Sequence, residues 1–199
     1  MRQEKKRVFS WLMMLAMVFS FILPGNQLNV QAEDILTVNA DGYYELGSVD
    51  DMLAFAQKVN AGEKELNAVL TNDIDMAGKT WTPITEYAGT FDGQNHKIKN
   101  LTFDSTDQDQ GIFGTNIGTI ENIADITGTY TENHANIGGL TAINKGKVVN
   151  CHSSVKIICN KNGGYVGGVV GYNITDTALV EKCSFEGTIT IPADSTVSS

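Results

Sequence analysis

Gly111-Ile-Phe-Gly-Thr-Asn116, Gly138-Gly-Leu-Thr-Ala-Ile-Asn144 and Gly167-Gly-Val-Val-Gly-Tyr-Asn173 are three copies of one stretch. Aligned on Gly111, Gly139 and Gly168, they bring Ile112, Leu140 and Val169 to one position and Asn116, Asn144 and Asn173 to another. The steps are 28 residues (111 to 139) and 29 residues (139 to 168). A second signature follows each copy: Ile120-Glu-Asn-Ile123, Val148-Val-Asn-Cys151 and Val180-Glu-Lys-Cys183. Its steps are 28 (123 to 151) and 32 (151 to 183), which places a short insertion in the third repeat around residues 174–178. Self-similarity at this period means a stacked, quasi-one-dimensional architecture.

The segments within each repeat are short, rich in Val, Ile and Thr, and separated by Gly and Asn, which is strand and turn chemistry. No segment after residue 59 has helix-length periodicity, so the strands cannot be joined by helical crossovers. Repeats that stack in register without helices must coil. Each repeat is therefore expected to form one turn of a parallel β-helix with about three short strands. Ile112, Leu140 and Val169 then stack inward, as do Ile120, Val148 and Val180. The Gly pairs sit where a Cβ would clash, and Asn116, Asn144 and Asn173 form a hydrogen-bonded ladder at a corner.

Upstream, residues 33–39 read as a leader or first short strand, and Gly42-Tyr-Tyr-Glu-Leu46 as a strand. Residues 49–59 fit a helix with Val49, Met52, Leu53, Ala56 and Val59 on one face. Ser48 and Asp51 make a capping-box-like pair, and Asn60-Ala-Gly62 stops the helix. A lone amphipathic helix ahead of a β-rich chain can cover the open end of the stack. The period then changes to two. Ala68, Leu70, Ile74 and Met76 are inward candidates, Trp81-Thr-Pro-Ile84 reads as a short strand, and residues 97–103 alternate, with Ile98 offset from Leu101 and Phe103 by a bend.

The N-terminus has another character. Lys5, Lys6 and Arg7 precede a 16-residue apolar run (8 to 23), Pro24-Gly25 breaks it, and Val30-Gln-Ala32 offers small residues for cleavage. That is the pattern of a secretory signal peptide, and the run is shorter than the roughly 20 residues a membrane span needs. Cleavage after Ala32 leaves residues 33–199 with 10 Lys, no Arg and 22 Asp+Glu, a net charge of −12. Such a surface repels nucleic acid and anionic lipid. Cys151, Cys159 and Cys183 are too few for a disulfide framework. Cys151 and Cys183 occupy equivalent repeat positions, however. They read either as small buried hydrophobes in a ladder or as a pair within disulfide reach.

Trp81-Thr-Pro-Ile84, Gly89-Thr-Phe-Asp-Gly-Gln-Asn-His-Lys-Ile98, Lys99-Asn-Leu101 and Gly111-Ile-Phe-Gly114 resemble the family of bacterial surface proteins that carry the GLUG motif. The later Gly-Gly-Val-Val-Gly and Asn-Cys elements resemble its successive repeats, and Leu70-Thr-Asn-Asp-Ile-Asp-Met76 its lead-in. The chain departs from the pattern at Thr141-Ala142, where Val-Gly is usual. The resemblance implies an all-β, right-handed parallel β-helix in exported proteins such as adhesins or the N-terminal regions of immunoglobulin-A-cleaving metallopeptidases. It carries no shared catalytic residue. The expected organisation is a signal peptide (1–32), leader strands and a capping helix (33–80), and β-helix repeats (81–199).

Candidate chemistry is sparse. His96, His134 and His152 are isolated in sequence, with no His-Glu-x-x-His for a metal peptidase, and read as surface or turn residues. Asp73, Asp75, Asp92 and Asp125 are the carboxylates nearest strands that could serve glycoside cleavage, with Asp73 and Asp75 on one face. Asp92 sits in a Phe-Asp-Gly turn, where Asp bonds backbone amides. Asp104-Ser-Thr-Asp-Gln-Asp-Gln-Gly111, with carboxylates from Asp104 to Asp109, resembles a calcium loop but lacks the distal Glu. Asn100-Leu-Thr and Asn173-Ile-Thr are sequons. No catalytic, cofactor or metal residue is assigned. Sixteen residues separate Cys151 from Gly167, and sixteen past Cys183 is Ser199, where another repeat would begin. The expectation is thus the start of a longer exported protein with an edge open to further repeats or self-association. Its expected role is an adhesin-like binding or scaffold module for a host or matrix protein or glycan, through loops such as 104–110 and 173–177. The alternatives are an accessory region of a surface enzyme and a structural stalk.

Overall fold

Short strands punctuated by Gly and Asn coil, in the computed structural model, into a β-solenoid. The structure describes residues 36–103, 109–132, 136–159 and 164–191. The expected signal peptide, residues 104–108 and His134 lie outside them. The lead-in holds β1 (Thr37–Val38), β2 (Tyr44–Leu46), the helix Val49–Asn60, β3 (Ala68–Leu70) and β4 (Ile74–Asp75). The first rung is β5 (Ile84–Tyr87), β6 (Thr90–Asp92) and β7 (Lys97–Leu101). The second is β8 (Phe113–Asn116), β9 (Thr119–Glu121) and β10 (Asp125–Glu132). The third runs from β11 (Ile137–Gly138) through β12 (Thr141–Asn144), β13 (Lys147–Val149) and β14 (His152–Ser153) to β15 (Lys156–Cys159). The fourth repeats it as β16 (Val166–Gly167), β17 (Val170–Asn173), β18 (Leu179–Glu181), β19 (Ser184–Phe185) and β20 (Thr188–Thr190).

Three sheets run along the stack, in the orders β1-β2-β3-β6-β9-β13-β18, β4-β7-β10-β15-β20 and β5-β8-β12-β17. Only the β1–β2 hairpin pairs antiparallel among the described strands; the other pairings are parallel. The lead-in strands β2 and β3 extend the same sheet as the repeats.

Register follows from like stacking on like. Phe91, Ile120, Val148 and Val180 are successive partners. The first three are fully buried, and Val180, on the last described rung, is 40% exposed. Ile112 and Leu140 are buried and stack toward half-buried Val169, as the repeat alignment predicts. Ile74, Ile98 and Ile126 make a third inward row. Each such buried side chain contributes about 1.5–3 kcal/mol. The bend expected within residues 97–103 is at Asn100, whose φ of 59° shifts the alternation so that both Ile98 and Leu101 face inward.

The doubled glycines answer to space, not to backbone hand. Among the described glycines only Gly42, Gly62 and Gly78 have positive φ. A Cβ on Gly139 would lie 2.2 Å from Ser153 Oγ, and one on Gly168 would lie 2.1 Å from the Phe185 ring. The narrow interior brings opposite walls into contact there, and no side chain fits.

The helix closes the first rung, with one change in which residues do it. Ser48 Oγ accepts from Asp51 N (3.2 Å), and Asp51 Oδ2 accepts from Gly47 N (3.1 Å), one residue earlier than a capping box reaches. The helix runs one residue past Val59, to Asn60. Val49 and Leu53 are only partly buried, whereas Phe55 is wholly buried and packs on Tyr44, Tyr87 and Phe91. Asn60 fastens the helix end to the sheet: its Nδ2 donates to Pro83 O (3.2 Å) and its Oδ1 accepts from Thr85 N (2.9 Å). The edge of β5 is thereby partly satisfied. The strand expected at Trp81-Thr-Pro-Ile84 is instead a single bridge from Trp81 to Phe103, with β5 starting at Ile84. Pro83 has no N–H to donate, and Trp81 is held by its own Nε1, which donates to Ile112 O (3.0 Å).

Candidate binding groove

The β1–β2 hairpin and the corner after β6 form two walls of an open groove with a cavity volume of about 600 Å³. Asn39, Asp41 and Tyr43 line one wall, Asp92, Gln94 and His96 the other, and Val69, Leu70 and Thr71 the floor. The hairpin is rigid for a local reason: Asn39 Oδ1 accepts from both Asp41 N and Tyr43 N (3.0 Å each), and Gly42 takes a φ of 83°. The opposite wall turns through two consecutive left-handed residues, Gln94 (φ 48°) and Asn95 (φ 61°). Asp92 Oδ1 accepts from Gln94 N (2.9 Å), the amide bond expected of that Asp, and Gln94 Nε2 donates to Asp92 Oδ2.

Asp92 also starts a ladder that the sequence reading missed. Asn122 Nδ2 donates to Asp92 Oδ1 (3.0 Å), and Asn150 Nδ2 donates to Asn122 Oδ1 (2.9 Å). Asn122, Asn150 and Lys182 all have positive φ, between 53° and 56°. The signal was present in the repeated Asn of Glu-Asn-Ile and Val-Asn-Cys, because Asn tolerates the left-handed region better than most residues. The ladder predicted at the other corner is present. Asn116 Nδ2 donates to Asn144 Oδ1 (2.8 Å), and Asn144 Nδ2 donates to Asn173 Oδ1 (2.7 Å).

Asp73 and Asp75 flank buried Ile74 and are tied into the neighbouring rung. Lys99 Nζ donates to Asp73 Oδ2 (2.9 Å), Lys97 N donates to Asp73 Oδ1 (3.0 Å), and His96 Nδ1 lies 3.4 Å away. These donors, Lys99 first, hold the Asp73 carboxyl down at about 2. The hydrogen bond from Asn100 lowers Asp75 likewise. A general acid of glycoside cleavage needs its carboxyl raised; this pair is held ionised and fastens rungs. Asp73 therefore contributes stability that is fully present above its ordinary value of 3.8 and is lost as pH falls toward about 2. Lys99→Met is expected to return the Asp73 titration toward 3.8 by NMR and to move the onset of acid unfolding to higher pH. An unchanged Asp73 titration in that variant would refute the assignment.

Both sequon asparagines have side chains committed within the fold. Asn100 Nδ2 donates to Asp75 Oδ1 (2.7 Å), and Asn173 Nδ2 donates to Ala178 O (3.3 Å). The insertion in the third repeat is a surface turn in which Thr175 Oγ1 donates to Lys145 O (3.3 Å). The calcium-like loop lies mostly outside the described residues. Its described end, Asp109, accepts from Asn136 N (2.9 Å) and Asn136 Nδ2 (3.1 Å) through Oδ1. No group of three or more His, Cys, Asp and Glu suited to a metal ion occurs among the described residues.

His152 sits in the most chemically dense cluster. Ser184 Oγ is 2.7 Å from Nδ1 and Ser154 Oγ 3.1 Å from Nε2, while Asp125 Oδ1 and Glu186 Oε2 lie 3.8 and 4.0 Å from Nε2. A hydroxyl beside an imidazole is the first element of nucleophilic catalysis. The neighbouring backbone donors are spent, however: Ser184 N bonds Cys151 O (3.1 Å) and Glu186 N bonds Ser153 O (3.0 Å). Those N–H groups cannot also hold an oxyanion. The cluster acts as a hydrogen-bonded fastener between rungs. Sequence reasoning could not find it because Asp125, His152 and Ser184 are 27 and 32 residues apart and meet only through register.

The fourth rung, with its doubled glycine, corner Asn and inward Cys, falls within residues 162–190, which match the GLUG motif. The chain carries a GLUG motif. The glycine pair Gly167-Gly168 and the Lys182-Cys183 corner of this GLUG repeat have counterparts one rung earlier in Gly138-Gly139 and Asn150-Cys151, so the motif is one coil of the solenoid. No curated protein and no solved structure matches the chain significantly. Among the described residues no helix is long and apolar enough to cross a membrane.

Proposed function

We propose that this GLUG chain is an adhesin-like binding module of an exported cell-surface protein, and that the groove between the β1–β2 hairpin and the 92–96 corner receives its ligand. The groove carries the reading. The solenoid interior is a packed core, whereas the groove is outward-facing, of ligand size, and combines an aromatic ring at Tyr43 with the polar side chains of Asn39, Asp41, Asp92, Gln94 and His96. Such planar acceptors and donors beside an aromatic face suit the hydroxyls and apolar ring faces of a glycan, or a polar segment of a matrix protein. With carboxylates at Asp41 and Asp92 and a net charge of −12 after residue 32, sulfated and sialylated ligands are disfavoured. Export is supported by the leader-like N-terminus.

The test is a panel of immobilised neutral and acidic glycans and matrix proteins, probed with chain purified from the surface of its own cells. The expected result is a mature N-terminus at Glu33 and binding to a neutral ligand that Tyr43→Ala weakens by about tenfold or more, since aromatic anchors dominate such sites. Binding that Tyr43→Ala and His96→Ala leave intact would move the site elsewhere. No binding to any member would favour a structural stalk, and release of a cleaved product would favour an enzyme.

A further inference from the structure

Ile123, Cys151 and Cys183 occupy one inward position on three successive rungs. His152 N bonds Ile123 O (3.0 Å) and Ser184 N bonds Cys151 O (3.1 Å), so the residues before them stack directly. Ile123 fills this slot wholly buried, so packing alone does not call for sulfur. Yet the next two rungs both carry Cys. Parallel neighbours lie about 4.8 Å apart, within the Cα separation a disulfide spans. In the reduced chain the Cys151 thiol donates to Val149 O (3.3 Å) and the Cys183 thiol to Glu181 O (3.3 Å). Cys151 is buried and Cys183 half-exposed, so Cys183 is the sulfur that meets solvent. On the rung that Cys183 belongs to, Leu179, Val180 and Ile189 are each close to 40% exposed among the described residues.

We propose that Cys151 and Cys183 are a thiol–disulfide exchange site whose oxidation staples the fourth rung to the third. The oxidant is a low-molecular-weight disulfide. The Cys183 thiolate attacks one of its sulfurs, forming a mixed disulfide, and the first small thiolate departs and takes up a proton. Cys151 then gives its proton to solvent and attacks Cys183 Sγ, and the second small thiolate leaves. Two protein thiols lose two electrons and two protons, and one small disulfide becomes two thiols. The order follows from the site. Cys183 is the half-exposed sulfur, and the neighbouring Cys151 thiol draws it below its ordinary value, so it attacks first. Cys151 is pushed well up by the Cys183 contact and by burial. The inference is independent of what the groove binds.

The test incubates the purified chain with glutathione disulfide and then alkylates it in denaturant with iodoacetamide. The expected result is a loss of two hydrogens in intact mass, alkylation of Cys159 alone, and a tryptic peptide pair joined through Cys151 and Cys183. The Cys151→Ser variant is expected to hold glutathione on Cys183 as a stable mixed disulfide. Closing a 32-residue loop (151 to 183) is expected to raise the melting temperature of the oxidised chain by roughly 5–15 °C over the reduced one. In Cys183→Ala that redox dependence disappears. Alkylation of all three cysteines after oxidation would overturn the proposal, as would a bond through Cys159 or between two chains. Equal melting temperatures of the two redox states would overturn the staple.

Discussion

Phe55→Ala is expected to destabilise the chain by about 3–5 kcal/mol, the cost of removing a wholly buried aromatic that leaves a cavity. For a chain of this size that lowers the melting temperature by roughly 6–20 °C. Phe55 is the only helix residue whose ring reaches three others, with centroids at 6.1 Å from Tyr44, 6.2 Å from Tyr87 and 6.3 Å from Phe91. Through Tyr87 and Phe91 the contact passes to Phe113 on the second rung (4.9 and 5.4 Å). The cavity would therefore open at the mouth of the solenoid, where Asn60 and the apolar face hold the helix to the sheet. Leu53→Ala, at a partly buried site on the same helix, is expected to cost far less. The measurement is urea unfolding followed by circular dichroism. A loss below about 1 kcal/mol for Phe55→Ala would mean that the helix does not close the stack.

Asn144→Ala is expected to cost about 2–4 kcal/mol, because buried polar partners left unsatisfied each cost about 1–3 kcal/mol. Asn144 is wholly buried; it accepts from Asn116 Nδ2 (2.8 Å) and Gly146 N (3.2 Å) and donates to Asn173 Oδ1 (2.7 Å). Removing the amide breaks the ladder in its middle and strands groups on both neighbours. Asn173→Ala, at the exposed end of the ladder, is expected to cost less than about 1 kcal/mol, because water replaces its partner. Asn144→Asp separates hydrogen bonding from shape: a carboxylate accepts as Asn144 does but cannot donate to Asn173, and it buries a charge. Equal losses for Asn144→Ala and Asn173→Ala would show that the ladder is not a connected unit.

The two predictions differ in how they could have been reached. Asn144 was legible from sequence: three asparagines at one repeat position, in a stack where neighbours must be identical to bond, imply a ladder. Phe55 was not. Helical spacing favoured the face of Val49, Met52, Leu53, Ala56 and Val59; Met52, Ala56 and Val59 are buried as that face requires, but the curved mouth of the solenoid also draws in Phe55 and leaves Val49 and Leu53 only partly buried. The same contrast holds at the site. Asp92 in its turn could be read locally, because an Asp that bonds an amide two residues on needs no distant partner. The groove could not, since its walls come from residues near 40 and near 94, and only the pairing of β2 with β3 and β3 with β6 brings them together.

The sequence by itself determined the solenoid class, the inward rows and the Asn116-Asn144-Asn173 ladder. In a parallel in-register stack each position is its neighbour's environment, so the period and the matching of side chains carry the fold in one dimension. Tertiary structure alone decided which helix side chain plugs the end, where Trp81 is anchored, how the 39–43 hairpin meets the 92–96 corner, and that His152 lies between Ser184 and Asp125. Those contacts join segments with no shared repeat position, and nothing but the coiling of the backbone sets the distance between them.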